Sequence, residues 1–275
     1  MNETLKHSRV RWYLLATLAL LGACAISPTG RYQLMLVSED QAIVASRQAY
    51  RATIGELEKK GKISTDAKLR ARVNAITGRL IAQAMEMRPD TRGWEWSIEI
   101  IDDPETVNAW AMAGGKMALF TGLIDKIKPS DDELAQVLAH EISHALAKHS
   151  AERMSVTMAT QLGVIAVGAA SDQPGRNMAL AALAAQLAVA LPNSRSAESE
   201  ADRIGIELAA RAGYDPRAAA SLWRKMGQLE SGGRPPQFLS THPSPENREQ
   251  VLNALAPQMM ALYQKPGPRP SYPLR

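Results

Sequence analysis

Apolar residues recur at helical spacing along much of this chain. Leu69, Val73, Ile76 and Leu80 fall three or four apart, which predicts a helix over 65–87 with one buried face. Ser38 can cap an earlier helix that runs to about residue 60, with Gly61 as its stop. Residues 94–100 alternate instead. Trp94, Trp96, Ile98 and Ile100 share one face, the pattern of a half-buried strand. A turn at 102–104 follows. Residues 107–112 and 116–121 read as two more strands joined at Gly114-Gly115. Ser130 and Glu133 form a capping box ahead of a long helix that extends to about Met154. Further helices are predicted over 195–212, 216–230 and 245–263, with a loop at Gly232-Gly233. The pattern gives an α+β fold, mainly helical with a small antiparallel sheet.

Three stretches stand apart from it. Residues 155–191 are rich in Ala, Leu, Val and Met and are interrupted at 171–176. Neither half has the ~20 apolar residues that span a bilayer. They read either as two helices packed on the domain or as an apolar flap over the site or against a membrane. Residues 1–11 carry Lys6, Arg9 and Arg11 against Glu3, and an apolar run follows to Ala23, the layout of a secretory signal. Leu21-Gly22-Ala23-Cys24 resembles a lipobox, which implies loss of residues 1–23 and acylation of Cys24. Ala25 is not the aspartate that retains such lipoproteins at the inner membrane. The expected location is therefore the periplasm, anchored to the outer membrane by lipid rather than spanning it. Residues 24–37 are then a lipidated tether, 38–263 the domain, and 264–275 a proline-rich tail, disordered or extended.

Composition narrows the function. Aromatic residues are 5% of the 275 residues, so the core is aliphatic, as suits packed helices. The net charge is +4 and the basic residues are not clustered, which gives no support to a nucleic-acid partner. A single cysteine excludes an intrachain disulfide and a cysteine-based zinc finger.

His140-Glu141-Ile142-Ser143-His144 lies inside the long helix. Residues i and i+4 share a helical face, so two imidazoles can grip one zinc ion. Glu141 stands beside the metal, where it can take a proton from the attacking water. The zincin class with a histidine third ligand in H-E-x-x-H-x-x-G-x-x-H is excluded, because Ala147 and Ser150 occupy those positions. His149 lies about 140° round a continuous helix from His144 and reads as a surface histidine. Downstream, Glu198 and Asp202 are i and i+4 on a second helix. Either Glu198 completes a His-His-Glu set with Asp202 orienting a ligand, or Glu198, Glu200 and Asp202 are a solvated acidic face.

These motifs resemble the zinc metallopeptidase family of the CAAX prenyl protease, HtpX and the BepA- and LoiP-type periplasmic lipoprotein proteases. The likeness covers roughly 40–255. It rests also on Asn108-Ala109-Trp110 with Gly114-Gly115 and Thr121-Gly122-Leu123, on Ser194-Arg195 ahead of Glu198 and Asp202, and on Thr241-His242-Pro243 with Arg248. The lack of helical repeats is closer to the LoiP type. The resemblance implies a gluzincin-type endopeptidase with one Zn2+ per chain, held by His140, His144 and Glu198, with Glu141 as general base. It implies Asp202 as a supporting group paired with Arg248. It puts His242 near the metal, either to stabilise the oxyanion or to take the water's position and hold the enzyme latent. If the strand at 116–121 is an edge, an extended substrate can add to it, with Asn108, Met117, Ala118 and Leu119 as the binding residues. Unfolded or misassembled envelope proteins are the expected substrates. The rival expectation is a catalytically silent zinc lipoprotein that acts as a chaperone or assembly factor.

Overall fold

A computed structural model describes residues 24–186, 189, 191–230, 237–242 and 247–274. The expected signal at 1–23, the loop at Gly232-Gly233 and Pro243 lie outside the described residues. The α+β class is as expected. Helix α1 (Glu39–Lys59) opens on a capping box between Ser38 and Gln41. Helix α2 (Ala67–Met87) opens on Asp66, whose side chain accepts from the backbone N–H groups of Lys68 and Leu69. These caps satisfy N–H groups that the first turn leaves without partners.

The main sheet contains β3 (Ser97–Ile101), β4 (Ala109–Met112) and β5 (Lys116–Phe120) in the order β3-β5-β4. It is mixed: β5 pairs antiparallel with β4, as the glycine turn predicts, but parallel with β3. The strand expected to be an edge is therefore the central one. Met117, Ala118 and Leu119 are buried, and their backbone is engaged by neighbours on both sides. Among the described strands of this sheet, β4 is the edge beside the site. Gly115 permits the turn in two ways. Its φ is +78°, and a Cβ there would lie 2.5 Å from the ring of Trp96. Trp96 itself is buried, and its indole N–H donates to the Thr91 carbonyl at 3.0 Å.

After β5 the chain turns into a short helix, α3 (Thr121–Ile127), and then into α4 (Asp131–Leu146). Ser130 and Glu133 form the expected capping box. Helix α4 is buried on nearly all sides. Leu134, Leu138 and Ile142 share one apolar cluster with Val73, Ile76 and Leu80 of α2 and with Ile98, Ile100, Met117 and Leu119 of the sheet. Helix α7 (Leu191–Arg211) packs against it at Gly205, where a Cβ would lie 3.1 Å from the His140 backbone. The absence of a side chain at 205 thus sets how closely the two helices approach. Helices α8 (Ala218–Glu230), α9 (Gln237–Thr241) and α10 (Arg248–Tyr263) close the far side.

Four features depart from the sequence reading or choose between its alternatives. The long helix does not continue to Met154. It breaks at Lys148, which adopts a left-handed φ of 60°, and α5 (His149–Ala169) starts in a new direction. Helix α5 and α6 (Pro174–Ala185) form a hairpin in which no residue of α6 is buried. The segment after Cys24 is a folded antiparallel pair, β1 (Cys24–Ile26) and β2 (Tyr32–Leu34). Its Gln33 is buried and donates to the Ala147 carbonyl at 2.8 Å. The proline-rich tail is extended and docked: Tyr272 N–H donates to the Gly78 carbonyl at 2.9 Å, and Tyr272 and Leu274 pack on the core. Among the described residues no helix is long and apolar enough to cross a membrane.

Candidate functional site

Helix α4 presents His140 and His144 on one face, and α7 crosses it to bring in Glu198. His242, at the end of α9, completes a group in which one ligand atom from each residue lies within 4.8 Å of the others. His140 Nε2 is 3.0 Å from His144 Nε2 and 3.2 Å from Glu198 Oε2. His144 Nε2 is 3.4 Å from Glu198 Oε1. A tetrahedron with metal–ligand bonds of ~2.0–2.1 Å has edges of about 3.3 Å. Two imidazoles and a carboxylate at these separations therefore fit a zinc ion. His242 Nδ1 stands 3.3 Å from His140 Nε2 and 3.1 Å from Glu198 Oε1, which is the fourth corner.

The acidic run on α7 is not a solvated face. Glu198, Glu200 and Asp202 are all buried. Asp202 Oδ1 lies 3.0 Å from His140 Nδ1 and also accepts from Arg248 Nη2 at 2.5 Å. The Arg248 guanidinium lies 3.5 Å from the centroid of the Trp223 ring. Burial works against the His140 cation, but the Asp202 and Glu198 carboxylates outweigh it and push the pKa up to about 9. Burial likewise opposes the Glu198 carboxylate, but hydrogen bonds from His140 and His242 hold its pKa far below the usual range. For His144, burial and the neighbouring His140 push the pKa well down. The centre is a pocket of negative field, poised for a cation.

Glu141 is buried, and burial raises its pKa. Its Oε2 accepts from the Ala111 N–H of edge strand β4 at 3.2 Å. Its Oε1 has no hydrogen bond and faces His242 Nε2 at 3.3 Å. A buried carboxylate oxygen without a donor is costly, and its position beside the ligand cluster explains why it is kept. The site opens into a cleft of about 440 Å³ lined by Asn108, Ala109, Trp110 and Ala111 as well as by Glu141, His144, Glu198 and His242.

Besides the buried Met117, Ala118 and Leu119 of the central strand, the sequence reading misplaced His149 and missed its partners. His149 is not on the surface. The turn at Lys148 swings it back, so that its Nδ1 lies 2.8 Å from His144 Nδ1 and its Nε2 lies 3.1 Å from Glu200 Oε2. Burial opposes the Glu200 carboxylate, but hydrogen bonds from His149, Ser27 and Thr29 draw its pKa down to about 2. Neither glycine nor proline stands at 147–149 to announce the break.

The fold and the His-His-Glu cluster with its adjacent carboxylate define a gluzincin-type zinc metallopeptidase scaffold. The chain belongs to peptidase family M48, which it matches over residues 67–256. It is 34% identical over 248 residues to the mitochondrial metalloendopeptidase OMA1 of Bos taurus, covering 86% of this chain and 47% of that protein. It is 38% identical over 165 residues to the mitochondrial metalloendopeptidase OMA1 of Schizosaccharomyces pombe, covering 60% of this chain and 48% of that protein. It is 31% identical over 203 residues to the β-barrel assembly-enhancing protease of Escherichia coli K12, covering 71% of this chain and 40% of that protein. The chain thus spans about half the length, or less, of these relatives.

Proposed function

We propose that this chain is a zinc-dependent endopeptidase of the cell envelope that hydrolyses misfolded or misassembled proteins. The observation that carries the reading is Glu141, a buried carboxylate with one oxygen unpartnered beside the ligand cluster. A purely structural metal site has no use for such a base. His140, His144 and Glu198 would hold the ion. When bound, zinc acidifies a water and polarises the scissile carbonyl. Glu141 would take the proton from the attacking water and return it to the leaving amine. The Ala111 N–H bond orients its carboxylate for both transfers. Replacing Glu141 by Gln keeps the size and the zinc and removes the base, so cleavage of an unfolded protein should fall by ~10²–10⁴. Equal turnover by both forms would remove Glu141 as the base, and protection of substrate without cleavage by either would favour the silent chaperone.

His242 Nδ1 stands beside His140 Nε2 and Glu198 Oε1, so it would compete with the attacking water for a place at a bound ion. This supports a latent resting state in which His242 withdraws to open the fourth corner. The ring stacks on Phe238, with centroids 4.4 Å apart, and that contact holds it in place. Replacing His242 by Ala should leave zinc bound and raise basal cleavage. A fall in cleavage would instead assign the residue to oxyanion stabilisation.

Edge strand β4 is the substrate's docking strand in this reading. Its amides at 109 and 111, which point away from β5, are held by Asn108 Oδ1 and Glu141. An extended peptide would pair with the backbone by displacing Asn108 Oδ1 from the Ala109 N–H while the Ala111 N–H stays on Glu141, with little regard to side chain. A groove of about 330 Å³ between α5 and α6 meets the cleft at Gln186, which lines both. The groove includes Val164, Ile165, Ala182 and Ala185, a lining suited to an apolar segment of unfolded polypeptide. The envelope location rests on the lipobox-like Leu21-Gly22-Ala23-Cys24 and on likeness to a relative named for β-barrel assembly. Exchange of Cys24 for Ala should release the protein from the membrane fraction. Retention there would remove the lipid anchor from the proposal.

A further inference from the structure

The chemistry above makes no use of His149, Glu200, Glu152 or Arg31. Yet these four side chains form a connected path from the N-terminal β1–β2 hairpin to His144. We infer that Arg31 and its hairpin are positioning elements of the metal centre, acting on His144 through Glu200 and His149. The inference rests on the zinc reading of His140, His144 and Glu198.

Tautomers give the path a direction. His144 turns Nε2 toward the ligand cluster, so as a neutral ligand it carries its proton on Nδ1. Its Nδ1–H therefore donates to His149 Nδ1, 2.8 Å away. His149, accepting at Nδ1, carries its own proton on Nε2 and donates it to Glu200 Oε2 at 3.1 Å. Each ring orients the next, and the carboxylate ends the chain. Glu200 is in turn fixed by the hairpin. Arg31 Nε donates to Oε2 at 3.0 Å and the Thr29 hydroxyl to Oε1 at 2.7 Å. The rest of the Arg31 fork grips both oxygens of Glu152 at 2.6 Å, a bidentate pair that fixes the plane of the guanidinium.

The other histidine ligand has the same kind of support, built without an intermediate ring. His140 Nδ1 meets Asp202, and Asp202 meets Arg248. Both imidazoles thus end on a buried carboxylate held by an arginine. For His140 the arginine comes from α10. For His144 it comes from the hairpin that starts at Cys24. Groups that orient metal ligands from behind typically change metal affinity by 10–100-fold when removed.

The test is zinc affinity of the full chain, measured by competition with a chromophoric chelator, together with the visible spectrum of the cobalt-substituted protein. His149→Leu should weaken zinc binding by at least ~10-fold and Arg31→Ala by about tenfold, with a shifted cobalt spectrum in both. His149→Gln offers one acceptor and one donor in place of the ring and should recover much of the loss. Arg31→Ala added to His149→Leu should cost little more than His149→Leu alone, because both cut one path. If Arg31→Ala does not fold, Thr29→Val removes a single bond to Glu200 and should still weaken zinc binding measurably. Wild-type affinity and a wild-type cobalt spectrum in Thr29→Val and His149→Leu would overturn the inference and leave the hairpin as a structural staple. Failure of the wild-type chain to bind zinc would overturn the metal reading itself, a separate outcome.

Discussion

Two pairs of helices in this molecule invert the usual relation between composition and burial. Helix α7 begins Leu-Pro-Asn-Ser-Arg-Ser-Ala-Glu-Ser-Glu-Ala-Asp, and its three acids are buried against α4. Helices α5 and α6 have no charged residue between Arg153 and Asp172 or between Arg176 and Arg195. Yet Met158, Leu162, Ile165, Val167, Leu180 and Leu183 are exposed there. Buried polar groups and exposed apolar patches carry more information than their opposites. Burying acids is costly unless something compensates. Here His140, His149, Arg248 and Arg31 do so. Leaving apolar side chains in water forgoes ~25 cal/mol per Å², which function can justify when the surface has a ligand. One pair buries charge and the other leaves apolar surface in water.

A matched pair of leucines tests this contrast. Leu138 on α4 is 1% exposed and Leu162 on α5 is 60% exposed. Leu138→Ala should cost about 2–5 kcal/mol, because it opens a cavity behind the metal helix. Denaturant unfolding at neutral pH measures it. A cost below about 1 kcal/mol would mean that α4 is not held as tightly as its packing implies.

The acids of α7 provide the next test. The Glu200 pKa falls from the ordinary 4.5 to about 2 on folding. A lowered folded-state pKa stabilises the fold above the unfolded value, and that contribution is lost as the pH falls through the folded one. The wild type should therefore lose stability progressively from about pH 4.5 toward pH 2. Glu200→Gln should be less stable than wild type at pH 7 and should converge on it over that window. Parallel stability curves for the two proteins would mean that the Arg31 and His149 contacts do not hold the charge.

The sequence revealed what is local. The 3-and-4 spacing of α2, the capping box at Ser130 and Glu133, and the pairing of His140 with His144 all depend on neighbours within a turn or two. Each is found where the spacing predicted it. Two errors came from distant relations. The order β3-β5-β4 depends on how β3 meets β5 across an intervening strand, and no alternation within β5 reveals that it is central. The error at His149 followed from extending one helix through Lys148, a residue with no ordinary preference for the left-handed region. Tertiary bonds explain the turn: Gln33 occupies the Ala147 carbonyl and Glu200 draws in the His149 ring. Both partners are more than 50 residues from the break, so only the fold brings the signal together. The tail is similar, since its docking depends on the bond from Tyr272 to Gly78 rather than on its proline content.

The smallest expected effect on stability falls on the exposed hairpin, and there the functional effect should exceed it. Leu162→Ser removes apolar surface from a residue that is 60% exposed. Surface changes of this kind usually stay within ±0.5 kcal/mol, so unfolding should be nearly unchanged. If the face guides unfolded polypeptide toward the cleft, the variant should show a raised KM for a long apolar substrate and the same kcat. A short peptide that fills only the cleft should be cleaved with wild-type KM. The two substrates separate docking from chemistry, because both would be cleaved at the same centre but only the long one would reach α5. Equal kinetics on both would detach the hairpin from substrate binding and leave its apolar face unexplained by the protease reading. A marked loss of stability would mean that Leu162 packs in solution, and the contrast between the two helix pairs would then be weaker than their exposure suggests.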